Sequence, residues 1–251
     1  MESLLYSFLA GSSMVLGAIV FMVLGSPGKR LMAGLLGFAG GIMLAISVFE
    51  LMPEALELSS MTVTIVGFIL GCGLLYLLDI YMPHAHMSTT DKLVVENEQR
   101  MPEKEESKEA LLRTGYLIFF GIALHNVPEG LAIGAGVESS PELGMAIAIA
   151  IALHNIPEGL AVAGPLLAGG LSSLMVILFT FVAGMMTVVG TALGLLLFNI
   201  STVFIGGSLA FAAGAMFYIV NDELIPQANK MHAHIANLGL ILGLLIGFVI
   251  F

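Results

Sequence analysis

Two short stretches of this chain carry groups that could do chemistry in an otherwise apolar sequence. The first is Ala123-Leu124-His125-Asn126-Val127-Pro128-Glu129-Gly130-Leu131-Ala132. The second is Ala152-Leu153-His154-Asn155-Ile156-Pro157-Glu158-Gly159-Leu160-Ala161, identical except that Ile156 stands for Val127. Each sets an imidazole, a carboxamide and a carboxylate in the middle of a long apolar run. Ionisable groups at membrane depth are costly unless partnered, and they mark functional sites. Within each copy the His and Glu are four residues apart, hence one above the other on a helix. Imidazole nitrogen with carboxylate oxygen is a ligand set suited to zinc and acceptable to iron, manganese, cobalt or cadmium. Asn126 and Asn155 add amide oxygens beside the same face. Pro128 and Pro157 each remove an N–H and loosen the ladder near the carbonyls of Leu124 and Leu153. Inside a membrane such carbonyls need protein, water or an ion. Gly130 and Gly159 are expected to let the paired helix come close. The expectation is one kinked, polar site with two halves, about midway along each helix.

Two other readings of these residues are weaker. A His–Glu hydrogen bond within each copy would be a packing device, but two copies with proline in register exceed what packing needs. An intramembrane metalloprotease wants H-E-x-x-H, with the Glu as general base. Here the order is H-N-x-P-E, and an amide cannot accept a proton. The chain is therefore not expected to be an enzyme. A metal-dependent membrane enzyme and a metal-sensing receptor without flux stand as the alternatives to transport.

The elements that must position these groups are membrane helices. Of 251 residues, 58% are hydrophobic and only 10% charged, with a mean hydropathy of +1.03. The apolar residues come in blocks long enough to cross about 30 Å of hydrocarbon as helices. The fold class is all-α: a polytopic membrane protein of eight spans, at about 3–25, 33–53, 61–82, 111–137, 142–168, 172–198, 203–225 and 236–251. The single Cys72 excludes an internal disulfide and a thiolate metal cluster. The thirty glycines suit helices that pack through small residues. The formal charge of -10 says little about nucleic acid, which is not an expected partner. The expected partners are divalent metal ions and the lipid bilayer, with a homodimer as a candidate assembly. No cofactor is expected.

Residues 83–110 are polar and include the run Glu103-Lys104-Glu105-Glu106, which reads as a solvated, partly disordered loop. All eight basic residues fall on one side of the eight-span arrangement: Lys29, Arg30, Lys92, Arg100, Lys104, Lys108, Arg113 and Lys230. That side is expected to be cytoplasmic. The opposite connections carry Glu54, Glu57, Glu138 and Glu142. Both termini are then extracytoplasmic, in what is expected to be the plasma (inner) membrane.

A second repeat links spans two and seven. Phe38-Ala39-Gly40-Gly41-Ile42-Met43 matches Phe211-Ala212-Ala213-Gly214-Ala215-Met216. At the same offset Glu50 meets Glu223, Leu51 meets Leu224 and Pro53 meets Pro226. The two spans run in opposite directions, as do spans four and five. Oppositely oriented repeats are the signature of an inverted-repeat transporter, here three helices, a central pair and three helices. Glu50 and Glu223 would mark the entrance and the exit of one pathway.

The doubled His-Asn-X-Pro-Glu-Gly resembles the ZIP (Zrt-, Irt-like protein) divalent metal transporters, over essentially the whole chain. Pro83-His84-Ala85-His86 is similar to the GufA-type branch. The resemblance implies a binuclear metal site on spans four and five, assisted by spans two and seven. His125, Glu129, His154 and Glu158, with Met43, would form its first position. Asn126, Glu129, Asn155, Glu158 and Glu223 would form the second, the two glutamates bridging. Some members have Gln-Asp where this chain has His154-Asn155, which makes this half less anionic. The implied function is secondary or facilitated movement of zinc and related divalent ions into the cytoplasm. Two cytoplasmic pairs, His84/His86 and His232/His234, are candidates for catching a leaving ion.

Overall fold

The computed structural model describes residues 1–25, 27–81, 108–198 and 201–250. Among the described residues there are helices and no strands. We label them α1 (Glu2–Leu24), α2 (Lys29–Leu58), α3 (Met61–Tyr81), α4 (Lys108–Ser139), α5 (Pro141–Ala168) and α6 (Ser173–Phe198). The remaining run, Thr202–Ile250, is helical throughout except at His232, where φ of -167° and ψ of 95° break it. We call its two parts α7 (202–231) and α8 (233–250). Thus α7 runs past residue 225 and the turn into α8 is tight, where the sequence suggests a longer connection. The helix α4 starts at Lys108, inside the stretch read as loop. The rest of that stretch, with His84 and His86, lies outside the described residues.

Hydrocarbon has no water to satisfy backbone groups, so each apolar block closes its own ladder. Side chains cap the ends. Ser140 accepts from the Leu143 N–H at 3.1 Å, with Pro141 in the first helical turn, where its missing N–H costs nothing. Ser201 caps α7 in the same way through the Phe204 N–H.

The helices form two bundles of four. In one, α1 packs on α5 and α6, and α4 on α5 and α6; in the other, α2 packs on α8, and α3 on α7. Small residues set the spacing inside each bundle. A Cβ at Gly11 would lie 2.1 Å from the Gly184 carbonyl oxygen, and one at Gly184 would lie 2.0 Å from that of Gly11. In the second bundle Gly239 meets the Gly34 carbonyl at 2.1 Å, and Gly67 meets that of Gly207 at 2.8 Å. None of these approaches closer than 3.0 Å crosses between the bundles. There the seam consists of α4 on α7 and α5 on α2, filled by aliphatic side chains such as Leu36, Ile133, Ile147, Ile151 and Leu209.

The contacts obey the repeat. Adding 173 to a residue of α1 or α2 gives its counterpart on α6 or α7, and adding 29 carries α4 onto α5. Gly130 on α4 meets the Thr187 carbonyl of α6, while its counterpart Gly159 on α5 meets the Met14 carbonyl of α1, and Thr187 is the counterpart of Met14. Gly11 facing Gly184, with Ser7 hydrogen-bonded to Thr191, makes α1 and α6 antiparallel. Gly130 and Gly159 therefore do bring helices close, but the helices are α6 and α1, not each other.

Both α2 and α7 contain one wide turn, at Ile46–Leu51 and Val220–Leu224. The Met52 N–H reaches back five residues to the Ser47 carbonyl, and the Ile225 N–H to that of Val220. Pro53 and Pro226 follow at once. Each lacks the N–H that would continue the normal ladder and crowds the preceding turn, which widens to accommodate it. Glu50 and Glu223 sit inside these two turns.

Candidate metal site

All six polar residues of the doubled motif are buried, none more than 2% exposed. The antiparallel crossing of α4 and α5 decides how they pair. His125 Nε2 lies 3.1 Å from Glu158 Oε1, and His154 Nε2 lies 2.9 Å from Glu129 Oε1. Each imidazole thus bonds the carboxylate of the other copy and not the one four residues on in its own helix. The protonation that satisfies these pairs puts hydrogen on Nε2 and leaves Nδ1 as a lone pair. The amides are anchored from outside the pair. Asn126 Nδ2 donates to the Ala183 carbonyl at 2.9 Å, and Asn155 Nδ2 to the Ala10 carbonyl at 3.0 Å. Ala183 is the counterpart of Ala10, so this pair also follows the repeat.

These bonds use one polar atom of each side chain and leave one over. His125 Nδ1, Asn126 Oδ1, Glu129 Oε2, His154 Nδ1, Asn155 Oδ1 and Glu158 Oε2 are all buried without a hydrogen-bond partner among the described residues. A buried acceptor left unpaired costs about 1–3 kcal/mol, and native proteins hold few. Six on two adjacent motifs, all able to donate an electron pair, have the chemistry to hold a cation. His125, Glu129 and Glu158 each offer an atom within 4.8 Å of the other two, a separation one ion can bridge.

The other candidate residues fall at different distances from this centre. Glu223 lines a narrow cleft of about 30 Å³ whose walls also include His125, Glu158, Leu36 and Gln227. That is room for a water-sized occupant. The cleft lies toward the end of the molecule that holds Lys29, Arg30, Lys108, Arg113 and Lys230. Met43 is fully buried in the core cluster that contains Ile151 and Leu160. Glu50 is half-buried in its wide turn. It does not line the cleft; the counterparts of the cleft's apolar walls, including Leu209, Leu51, Ile147 and Ile151, have no exposed surface and close that side. His232 and His234 stand with ring centroids 6.3 Å apart at the break between α7 and α8. His232 Nδ1 accepts from the Ile235 N–H at 3.4 Å and so caps α8.

Sequence reasoning passed over a buried polar layer on α1 and α6 that backs the site. Thr191 donates to the Gly130 carbonyl at 2.6 Å and bonds Ser7, and Thr187 is buried behind Gly130. Its signal is readable: Ala10-Gly11 and Ala183-Gly184, like Gly17 and Gly190, repeat at the offset already seen for spans two and seven.

The family model described as "ZIP Zinc transporter" matches residues 81–251. Among curated relatives, the "Zinc transporter ZupT" of Escherichia fergusonii is 39% identical over 233 residues, covering 91% of this chain and 87% of the relative. Proteins of the same name from Salmonella paratyphi A and Salmonella newport are 38% identical over the same length and coverage.

Proposed function

The chain belongs to the ZIP zinc transporter family, and we propose that it carries zinc and related divalent ions into the cytoplasm through the buried site on α4 and α5. The observation that carries this reading is the set of six buried, unpartnered donor atoms on the doubled motif. A cation that enters shares their electron pairs and removes the cost of leaving them unpaired. Metal binding requires these groups deprotonated, so an entering cation takes the place of any proton they hold. Glu129 and Glu158 each hold one oxygen toward a histidine and one free, the arrangement a bridging carboxylate needs.

The two mouths differ, which supports transport over sensing. The cleft reaches His125 and Glu158 past Glu223 from the basic end, and the opposite end is shut by aliphatic side chains. The basic end is the cytoplasmic one in this reading, so the conformation faces inward and the termini lie outside. Alternating access follows from movement of the α1–α4–α5–α6 bundle against the other. The glycine contacts hold each bundle rigid, and the aliphatic seam between them has no interlocked backbone. Iron, manganese, cobalt and cadmium fit the same ligand chemistry as zinc. His232 and His234 at the inner end would receive the leaving ion; His232 keeps Nε2 for this while Nδ1 caps α8.

Purified protein in sealed liposomes should take up labelled zinc down a gradient without nucleotide. Zinc that binds stoichiometrically but never enters the lumen would favour a receptor over a carrier.

A further inference from the structure

The repeat lets the lining of the open mouth define the lining of the closed one once it opens. Glu223 and Gln227, one turn apart on α7, line the inner cleft above His125 and Glu158. Their counterparts are Glu50, Glu54, His154 and Glu129. Glu54 therefore stands where the inner mouth has a neutral amide. In the inward-facing conformation it is held aside: half-buried, its Oε1 accepts a hydrogen bond from the hydroxyl of Ser139, the last residue of α4. Since α2 and α4 belong to different bundles, this bond ties the two bodies together across the seam at the outer end. The repeat supplies no matching bond at the inner end, because the counterpart of Ser139 on α5 is Ala168, which has no hydroxyl.

We propose that the Ser139–Glu54 hydrogen bond latches the outer mouth shut, and that its release presents Glu54 beside Glu50 as a second cation-gathering carboxylate. The proposal rests on the transport reading for the role of Glu54 after release, but not for the latch. A hydrogen bond to a charged group shifts a two-state equilibrium by roughly ten-fold or more, so the latch biases the protein inward. The open outer mouth then carries two carboxylates and the inner mouth one, which favours capture outside and release inside.

The test uses the full chain with Cys72→Ser and one reporter cysteine. Leu36 lines the inner cleft, and its fully buried counterpart Leu209 belongs to the closed outer side. In vesicles of known orientation, Ser139→Ala should speed labelling of Leu209→Cys by an impermeant thiol reagent from outside about ten-fold. It should slow labelling of Leu36→Cys from the inner side. Ser139→Thr keeps the hydroxyl and should label at the parent rate. Unchanged rates in Ser139→Ala, or equal acceleration in Ser139→Thr, overturn the latch. Glu54→Ala should open the outer mouth as Ser139→Ala does, yet take up zinc several-fold more slowly than Ser139→Ala at low zinc, recovering at saturation. Equal uptake by these two variants overturns the gathering role. Labelling needs no transported ion, so a wild-type protein that moves no zinc would sink the transport reading while the labelling still decided the latch.

Discussion

His154 Nε2 lies 2.9 Å from Oε1 of Glu129, a carboxylate on the neighbouring antiparallel helix. The glutamate in its own motif, Glu158, is engaged instead by His125. Each half of the site is thus completed by the other, and neither motif alone has a satisfied histidine.

Loss of either glutamate should therefore disable the whole centre. Glu129→Ala removes a free ligand oxygen and also strips His154 of its partner; Glu158→Ala does the same to His125. Removing one partner of a buried polar pair is strongly destabilising, so folding must be checked by monodispersity in detergent. Among variants that pass, zinc uptake into liposomes should fall to background for both. Wild-type flux in both would mean that ions do not pass through this site.

Asn155→Asp is a sharper probe because the amide has two ends. Its Nδ2 donates to the Ala10 carbonyl at 3.0 Å, while Oδ1 has no partner. Aspartate keeps an acceptor toward the site but cannot donate to Ala10, so two oxygens would face each other. The metal-free variant should be less stable by about 1–3 kcal/mol. Zinc should then raise its melting temperature more than it raises that of the parent, and metal analysis should show higher occupancy. Equal zinc stabilisation of the two proteins would mean that residue 155 is no ligand.

Much of this arrangement is legible in the sequence, and the rest is hidden for physical reasons. The apolar blocks and the doubled motif identify the helices and the polar residues on them, since hydrocarbon tolerates neither loops nor lone charges. The partner of His125 is not legible, because i,i+4 spacing says which groups share a face but not which face meets which. The same ambiguity hides the neighbours of Gly130 and Gly159, which are α6 and α1. The wide turns at Glu50 and Glu223 are signalled only by Pro53 and Pro226, which also suit an ordinary helix start. The break at His232 has the opposite character: its counterpart Ser59 ends α2, so the repeat marks it although the local sequence does not.

Glycine packing offers a test of the rigid bundles that replaces no residue of the doubled motif. A Cβ at Gly11 would meet the Gly184 carbonyl at 2.1 Å, whereas one at Gly73 meets nothing within 4 Å. Gly11→Ala must push α1 from α6 and should cost about 1–3 kcal/mol, the usual range for overpacking. Gly73→Ala should be neutral or slightly stabilising, since alanine is the better helix former. Thermal unfolding of the two variants in the same detergent checks this. Equal melting temperatures would show that α1 and α6 are not in rigid contact.

The last expectation concerns the two glutamates in the wide turns. Glu223 shares the inner cleft with His125 and Glu158, while Glu50 is walled off from the site by the closed outer side. Symmetry makes them counterparts, but in this one conformation their surroundings differ. On the proposed pathway Glu50 would gather cations from outside before the site is reached, so Glu50→Gln should raise KM with maximal flux largely kept. Removing a charge from a solvated funnel costs fractions of a kcal/mol to about one, hence a several-fold effect that fades as salt screens it. On the same reading Glu223 would meet the ion within a narrow cleft, where screening is weak. Glu223→Gln should therefore lower maximal flux, with little dependence on salt. Zinc uptake by both variants at two ionic strengths, with reconstituted protein matched, separates the cases. Identical kinetic changes, or a Glu50→Gln effect indifferent to salt, would mean that the matched Glu-Leu-X-Pro segments serve helix packing and not the two ends of a pathway.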